Sequence, residues 1–133
     1  MQRERVRPYP SDNRKLTEKT CSDCGETLPI GEFSWNGRGN WKPYCDECVR
    51  KKARARSSLN REWIAEQKRQ AGCLYCHEKD PCALLFHHRD PSQKQRAVSL
   101  LVGNSRKRIR EEIDKCDVLC FNCHAKIHAG RTL

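Results

Sequence analysis

Cys73-Leu74-Tyr75-Cys76, Phe86-His87-His88-Arg89-Asp90-Pro91 and Cys120-Phe121-Asn122-Cys123-His124-Ala125-Lys126-Ile127-His128 are the segments whose reading decides the fold of this chain. Two Cys-x-x-Cys pairs bracket a His pair, and two further His lie four residues apart behind the second Cys pair. Thiolate pairs at this spacing chelate one tetrahedral zinc between them. Such a zinc would join Cys76 to Cys120 across 43 intervening residues. Closing so long a loop by metal lets a core of a few Leu, Ile and Phe hold a defined geometry.

The same frame gathers imidazoles. At i,i+4 on a helix, His124 and His128 project from one face and can chelate one cation. Cys82 to Phe86 is a short apolar run that reads as a buried strand ending at His87-His88. Strand neighbours point to opposite faces, but Arg89-Asp90-Pro91-Ser92 is turn chemistry, and twist at a strand end can bring both rings toward the helix. A lone His is most often a satisfied structural residue, whereas four beside a zinc frame point to a site.

Outward from this core, Val98 to Val102 is a second apolar run. Ser105 caps a helix to about Lys115, with Ile109 and Ile113 on one face and i,i+4 pairs Arg108/Glu112 and Glu111/Lys115. Val118-Leu119 is expected as the second strand of a small hairpin, Asn122 to Ala129 as the closing helix and Gly130 as its C-cap. Upstream, Cys21, Cys24, Cys45 and Cys48 read as a four-cysteine zinc ribbon over residues 21–48. Gly25 suits the left-handed turn of a metal knuckle. Phe33 and Trp35 alternate like a strand, Asn36-Gly37-Arg38-Gly39-Asn40 is a turn, and Trp41 and Tyr44 lie on the return. These aromatics make a miniature core, with base stacking as the other use of the two Trp.

Residues 1–20 read as a flexible basic arm, and residues 49–72 as a basic helical linker with Leu59, Trp63 and Ile64 as a thin apolar stripe. Ser57-Ser58 is a candidate break in that helix, and Ala71-Gly72 its stop. The fold class is therefore small α+β and zinc-stabilised, with residues 73–133 as the second metal domain.

Bulk properties agree. The 133 residues are 36% hydrophobic and 33% charged, with a mean hydropathy of −0.95. A chain this short and polar needs metals or cross-links to supplement its core. Eight of the ten Cys fall in four Cys-x-x-Cys pairs, a zinc pattern rather than a disulfide framework or a set of redox dithiols. Thiols kept reduced imply a cytoplasmic protein, and no apolar run suggests a membrane span or signal peptide. The net charge of +10 favours a polyanion, DNA above all. Residues 49–70 carry eight Lys/Arg against two Glu, whereas residues 21–48 carry two basic against five acidic residues. Lys51, Lys52, Arg54 and Arg56 are therefore the candidate phosphate contacts of the helix, the plainer reading being a solvated helix face.

Residues 73–129 resemble HNH endonucleases of the ββα-metal type, in the phage and bacterial form that carries a zinc held by four Cys. That pattern runs Cys-x-x-Cys, apolar strand, His-His-x-Asp, variable loop, then Leu-Cys-x-x-Cys-His-x-x-x-His. It is matched by Cys73/Cys76, Leu85-Phe86, His87 to Asp90, and Leu119 to His128. The resemblance implies His88 as general base and His87, His124 and His128 as ligands of a catalytic divalent cation. It also implies DNA as substrate, with 5′-phosphate and 3′-hydroxyl products. Cys73, Cys76, Cys120 and Cys123 would hold one structural zinc, and Cys21, Cys24, Cys45 and Cys48 another. Residues 21–48 are similar to the start of phage recombination endonuclease VII-like proteins, through Cys21-x-x-Cys24-Gly25, Pro29, Phe33 and Cys45-x-x-Cys48 before a basic helix. A phage or mobile-element context follows from that likeness. Action alone, as a homing nuclease or beside a phage packaging terminase all stay open, as do monomer and dimer. One departure stands out. The family's middle Asn, about nine residues before the position of His124, is here Lys115; Cys116 or Asp117 is the candidate brace in its place, and Asn122 has the wrong spacing.

The chemistry is consistent with these residue types. Neutral imidazole, with an unperturbed pKa of about 6.5, accepts a proton from water near neutrality. All-His ligation is softer than the carboxylate sites Mg²⁺ prefers, which favours Mn²⁺, Ni²⁺ or Zn²⁺ as the cation. Arg89, Lys126 and the cluster Arg106-Lys107-Arg108 are candidate phosphate clamps, solvated helix charge being the alternative for the cluster. A non-catalytic double zinc module binding nucleic acid or a partner protein is the second reading of the whole chain. It explains eight thiols and the charge and leaves four His without a task.

Overall fold

The computed structural model describes residues 15–131. Most of the expected basic arm, residues 1–14, lies outside them. Its last residues are not part of an arm: Glu18–Thr20 forms strand β1, paired antiparallel with β2, Thr27–Pro29, in the register Lys19↔Leu28. A three-residue strand with one half-buried position carries no apolar alternation, so the sequence does not announce it. The pair presents the first metal knuckle between its strands. Cys21 N donates to Glu26 O and Gly25 N to Cys21 O, with Gly25 at φ 76°.

The hairpin expected at Phe33 to Tyr44 reduces to one antiparallel bridge, Trp35↔Trp41, whose rings meet edge to face at 5.1 Å. Asn36 Oδ1 accepts from the backbone N–H groups of Arg38 and Asn40 and closes the turn. Phe33 is buried with Cys21, Cys45 and Cys48, and Leu28, Ile30 and Trp41 pack around them. The miniature core is thus built as much by the thiols as by the aromatics.

Helix α1, Asp46–Ala71, is continuous for 26 residues, and Ser57 and Ser58 do not interrupt it. Helix-forming Ala, Arg, Lys, Glu and Gln dominate, Asp46 and Glu47 face the positive end of the dipole, and Lys68 and Arg69 the negative end. Gly72, at φ 67°, stops it. The described residues divide into two compact units, with the boundary between Lys52 and Ala53. The boundary falls inside α1, so the segment read as a linker is shared out. Its larger part belongs to the second unit: Ile64 is buried with Val98, Leu101, Ile109 and Cys116. Asn60, also buried, donates to the carbonyls of Val102 and Asn104 at 2.7 and 3.0 Å.

In the second unit β3, Leu84–His88, pairs antiparallel with β4, Cys116–Cys120, in the register Leu84↔Cys120, His87↔Asp117, His88↔Cys116. Helix α2, Arg106–Ile113, precedes β4, its N-cap Ser105 accepting from Arg108 N. Helix α3, Phe121–His128, follows β4 without a connecting residue, because Cys120 is both strand end and N-cap. The apolar run from Val98 is not extended but makes a 3₁₀ turn, Val98–Leu100, that buries Val98. A second core cluster joins Leu84, Val118 and Leu119 to Cys73, Cys120 and Cys123. Phe86 touches both clusters of this unit. Lys68 anchors α1 to the sheet by donating to Leu84 O at 2.6 Å, and burial lowers its pKa. Among the described residues no helix is long and apolar enough to cross a membrane.

Candidate metal centre

Two four-thiol clusters are present at zinc-binding geometry. The Sγ atoms of Cys21, Cys24, Cys45 and Cys48 lie within 4.8 Å of one another, as do those of Cys73, Cys76, Cys120 and Cys123. All these Cys are free thiols. Backbone amides are aimed at the sulfurs: Cys45 N donates to Cys21 Sγ at 3.3 Å, and Cys123 N to Cys120 Sγ at 3.3 Å. Burial alone would raise the pKa of Cys21 and Cys73. Neighbouring backbone N–H groups, of Cys45, Cys24 and Asp23 for Cys21 and of Cys76, Cys120 and Tyr75 for Cys73, outweigh it and hold both at about 6. Cys24, Cys48, Cys76 and Cys123 move up. The Cys45 thiol and burial raise Cys48, and burial with its sulfur neighbours pushes Cys123 up to about 12. Four sulfurs this close cannot all ionise without a cation, which is the electrostatic signature of a thiolate metal site. Two structural zinc ions fit these sets.

The second cluster fixes the start of α3 and hence of His124. His87, His124 and His128 place ring nitrogens within 4.8 Å of one another. Their ring centroids are 5.1, 5.4 and 4.4 Å apart for His87–His124, His87–His128 and His124–His128. Burial, and then the charges of His128 and His87, lower the pKa of His124, so the neutral ligand form is favoured there. The trio opens into a cleft of about 230 Å³ lined by Phe86, Pro91, Lys94 and His88 besides the three rings. A larger cavity of about 370 Å³, bordered by Gln67, Leu74, Ile113 and Asp117, contains none of these His.

His88 does not join the trio. Strand alternation holds at the end of β3 and sends the two rings to different partners. His88 is only 8% exposed, and its Nε2 lies 2.7 Å from Glu112 Oε1. The i,i+4 spacing pairs Glu112 with Arg108. Glu112 is instead 2% exposed, and the same oxygen also accepts from Gln95 N at 3.0 Å and Arg96 N at 3.4 Å. Its Oε2 accepts from Lys115 at 2.9 Å, which takes Lys115 from its expected partner Glu111; Glu111 meets Lys107 at 4.0 Å. Burial by itself would raise the Glu112 pKa. The Lys115 ammonium, His88 and the two backbone N–H groups outweigh it and hold the carboxyl at about 2. A readable signal existed: Glu112 stands three residues after Ile109 and beside Ile113, a charge on the apolar stripe of its helix.

Side chains tie the loop around Lys115. Lys115 reaches Gln93 O at 3.3 Å and Glu112. Arg89 donates to the carbonyls of Asp114 and Cys116 and to Asp117 Oδ1 at 2.9 Å. The hairpin end is therefore tied by Arg89 and Asp117, and the guanidinium of Arg89, named as a candidate phosphate clamp, is engaged with the loop while its side chain stays half exposed. Cys116 Sγ donates to Glu112 O at 3.3 Å, and burial pushes its thiol up to about 11.

The remaining basic candidates divide. Arg106 lies over the Trp63 ring, 5.7 Å from its centroid, with Arg110 at 5.4 Å. Lys52 bonds Asp23 at 2.7 Å and covers the Tyr44 ring, so it serves the first unit. Lys51, Arg54, Arg56, Lys107, Arg108 and Lys126 are exposed. Lys94, which the sequence did not single out, is the cation on the cleft wall. No family model, curated protein or solved structure matches the chain.

Proposed function

We propose that the chain is a metal-dependent endonuclease of the HNH, ββα-metal kind that hydrolyses DNA phosphodiester bonds. The observation that carries the reading is the convergence of His87, His124 and His128 within 4.8 Å, on a cleft that His88 also lines. β3 supplies His87 and His88 and α3 supplies His124 and His128, in the order such a site uses. Three imidazoles leave positions free for oxygen ligands, which suits Ni²⁺, Zn²⁺ or Mn²⁺ better than Mg²⁺. When bound, the cation would stabilise charge on the phosphate and on the departing 3′-oxygen.

The chain's own residues do the rest. His88 takes a proton from the attacking water, whose oxygen bonds to phosphorus as the bond to the 3′-oxygen breaks. A 5′-phosphate and a 3′-hydroxyl result. Lys94 faces the phosphate in the cleft, and the net charge of +10 draws the polyanion in. The small cleft and single site favour nicking over double-strand cleavage. The cysteine clusters are scaffold on this reading, each holding structural zinc.

A non-catalytic double zinc module for nucleic acid or a partner protein is the second reading. It is favoured by Leu74, Tyr75 and Phe121, which stand between zinc-type Cys and are 58%, 49% and 58% exposed. Nicking of supercoiled plasmid with Mg²⁺, Mn²⁺ or Ni²⁺ separates the two. Wild type should relax the plasmid and His88→Ala should not; equal cutting by both would remove His88 from the mechanism. An inert wild type with every metal would leave the binding module.

A further inference from the structure

The Glu112–His88 contact is built more elaborately than helix packing requires. One buried carboxylate oxygen gathers the His88 ring and the backbone of Gln95 and Arg96, and its twin is held by Lys115. The residues so gathered flank the cleft: His88 lines it, and Lys94, next to Gln95, stands on its wall. An ionised carboxylate only accepts hydrogen bonds. The ring nitrogen facing it must therefore donate, and a neutral imidazole has one N–H to give.

We propose that Glu112 is the positioning residue for His88, fixing its proton on Nε2 and leaving Nδ1 as the nitrogen that takes the proton from water. This rests on the endonuclease reading and adds which atom acts and what orients it. The proton abstracted from water goes to Nδ1, and the ring becomes an imidazolium whose positive charge the Glu112 carboxylate stabilises. The carboxylate itself gains no proton, which accords with a carboxyl held at about 2 by its neighbours. Holding one tautomer matters because the other presents N–H, not a lone pair, to the water.

The test uses the full zinc-loaded chain, with long-range ¹⁵N–¹H correlation spectra of the His88 ring beside plasmid nicking. Wild type should show the Nε2–H tautomer. Glu112→Ala should show mixed tautomers and a kcat lower by roughly 100-fold or more, with KM changed little. Glu112→Gln keeps an acceptor oxygen and should restore the tautomer and much of kcat. Zinc content and Mn²⁺ binding, measured alongside, report on folding. An active wild type with its proton on Nδ1 would overturn the proposal and leave the endonuclease reading in place. So would a Glu112→Ala protein cutting at the wild-type rate, or a Gln variant that holds its zinc but is as slow as the Ala variant. If Glu112→Ala loses its zinc, the wild-type tautomer and the Gln variant decide alone. An inert wild type with Nε2–H would remove the endonuclease reading and the Nδ1 role with it, while the Glu112–His88 pairing would stand.

Discussion

His124 Nε2 lies 3.1 Å from His128 Nε2, one turn apart on a helix whose first residue follows a zinc-type cysteine. Two imidazoles held that close are costly if protonated and useful if they share a cation. Removing either ring, or His87 across from them, should lower Mn²⁺ or Ni²⁺ affinity at this site at least about tenfold. Nicking should fall by roughly 100-fold or more, while two zinc ions per chain remain. Isothermal titration on zinc-loaded protein checks it; unchanged Mn²⁺ affinity in His124→Ala would show that the trio holds no metal.

The thiol clusters make a separate prediction about protons. Cys24 and Cys48 in one cluster, and Cys76 and Cys123 in the other, have raised pKa values. They carry protons at neutral pH until a metal displaces them. Zinc binding should therefore release at least two protons per ion at pH 7, and affinity should fall as pH drops from 8 to 6 because protons compete for the same sulfurs. Calorimetry in buffers of different ionisation enthalpy measures the number, and release of fewer than one would contradict the assignment.

Loss of one cluster should not act like loss of the other. Cys45→Ser removes a ligand from the core of the first unit, where Phe33 and Trp41 pack. Cys120→Ser strikes the residue that is strand end, helix cap and ligand together. The first variant should keep metal at the His trio, with any loss of nicking due to weaker DNA binding. The second should lose both zinc and the trio. Metal analysis with near-ultraviolet circular dichroism distinguishes them.

Arg89 and Lys94 should part company in DNA assays. Arg89 braces Asp114, Cys116 and Asp117, so Arg89→Ala should cost about 1–3 kcal/mol in stability with little change in the salt dependence of binding. Lys94→Ala should leave stability almost unaltered and reduce the slope of log affinity against log salt by about one. For comparison, Ile109→Ala, at a fully buried position of α2, should cost about 2–5 kcal/mol. Urea titrations and salt-dependent binding curves check these values.

Spacing along the chain was enough to designate both thiol quartets, the cap at Ser105, the strand ending at His88 and the single face shared by His124 and His128. Those features depend on local periodicity and on metal chemistry, which tolerates few geometries. Spacing could not reveal β1, too short to have a pattern, or the continuity of α1 past Ser57-Ser58, where packing of Asn60 and Ile64 outweighs weak helix propensity. Nor could it divide His87 from His88 or take Glu112 from Arg108 to His88. Those outcomes were decided where Glu112 of α2 meets His88 at the end of β3. There a buried carboxylate is tolerable only with donors on every side, and His88, Gln95, Arg96 and Lys115 come together only in the folded chain.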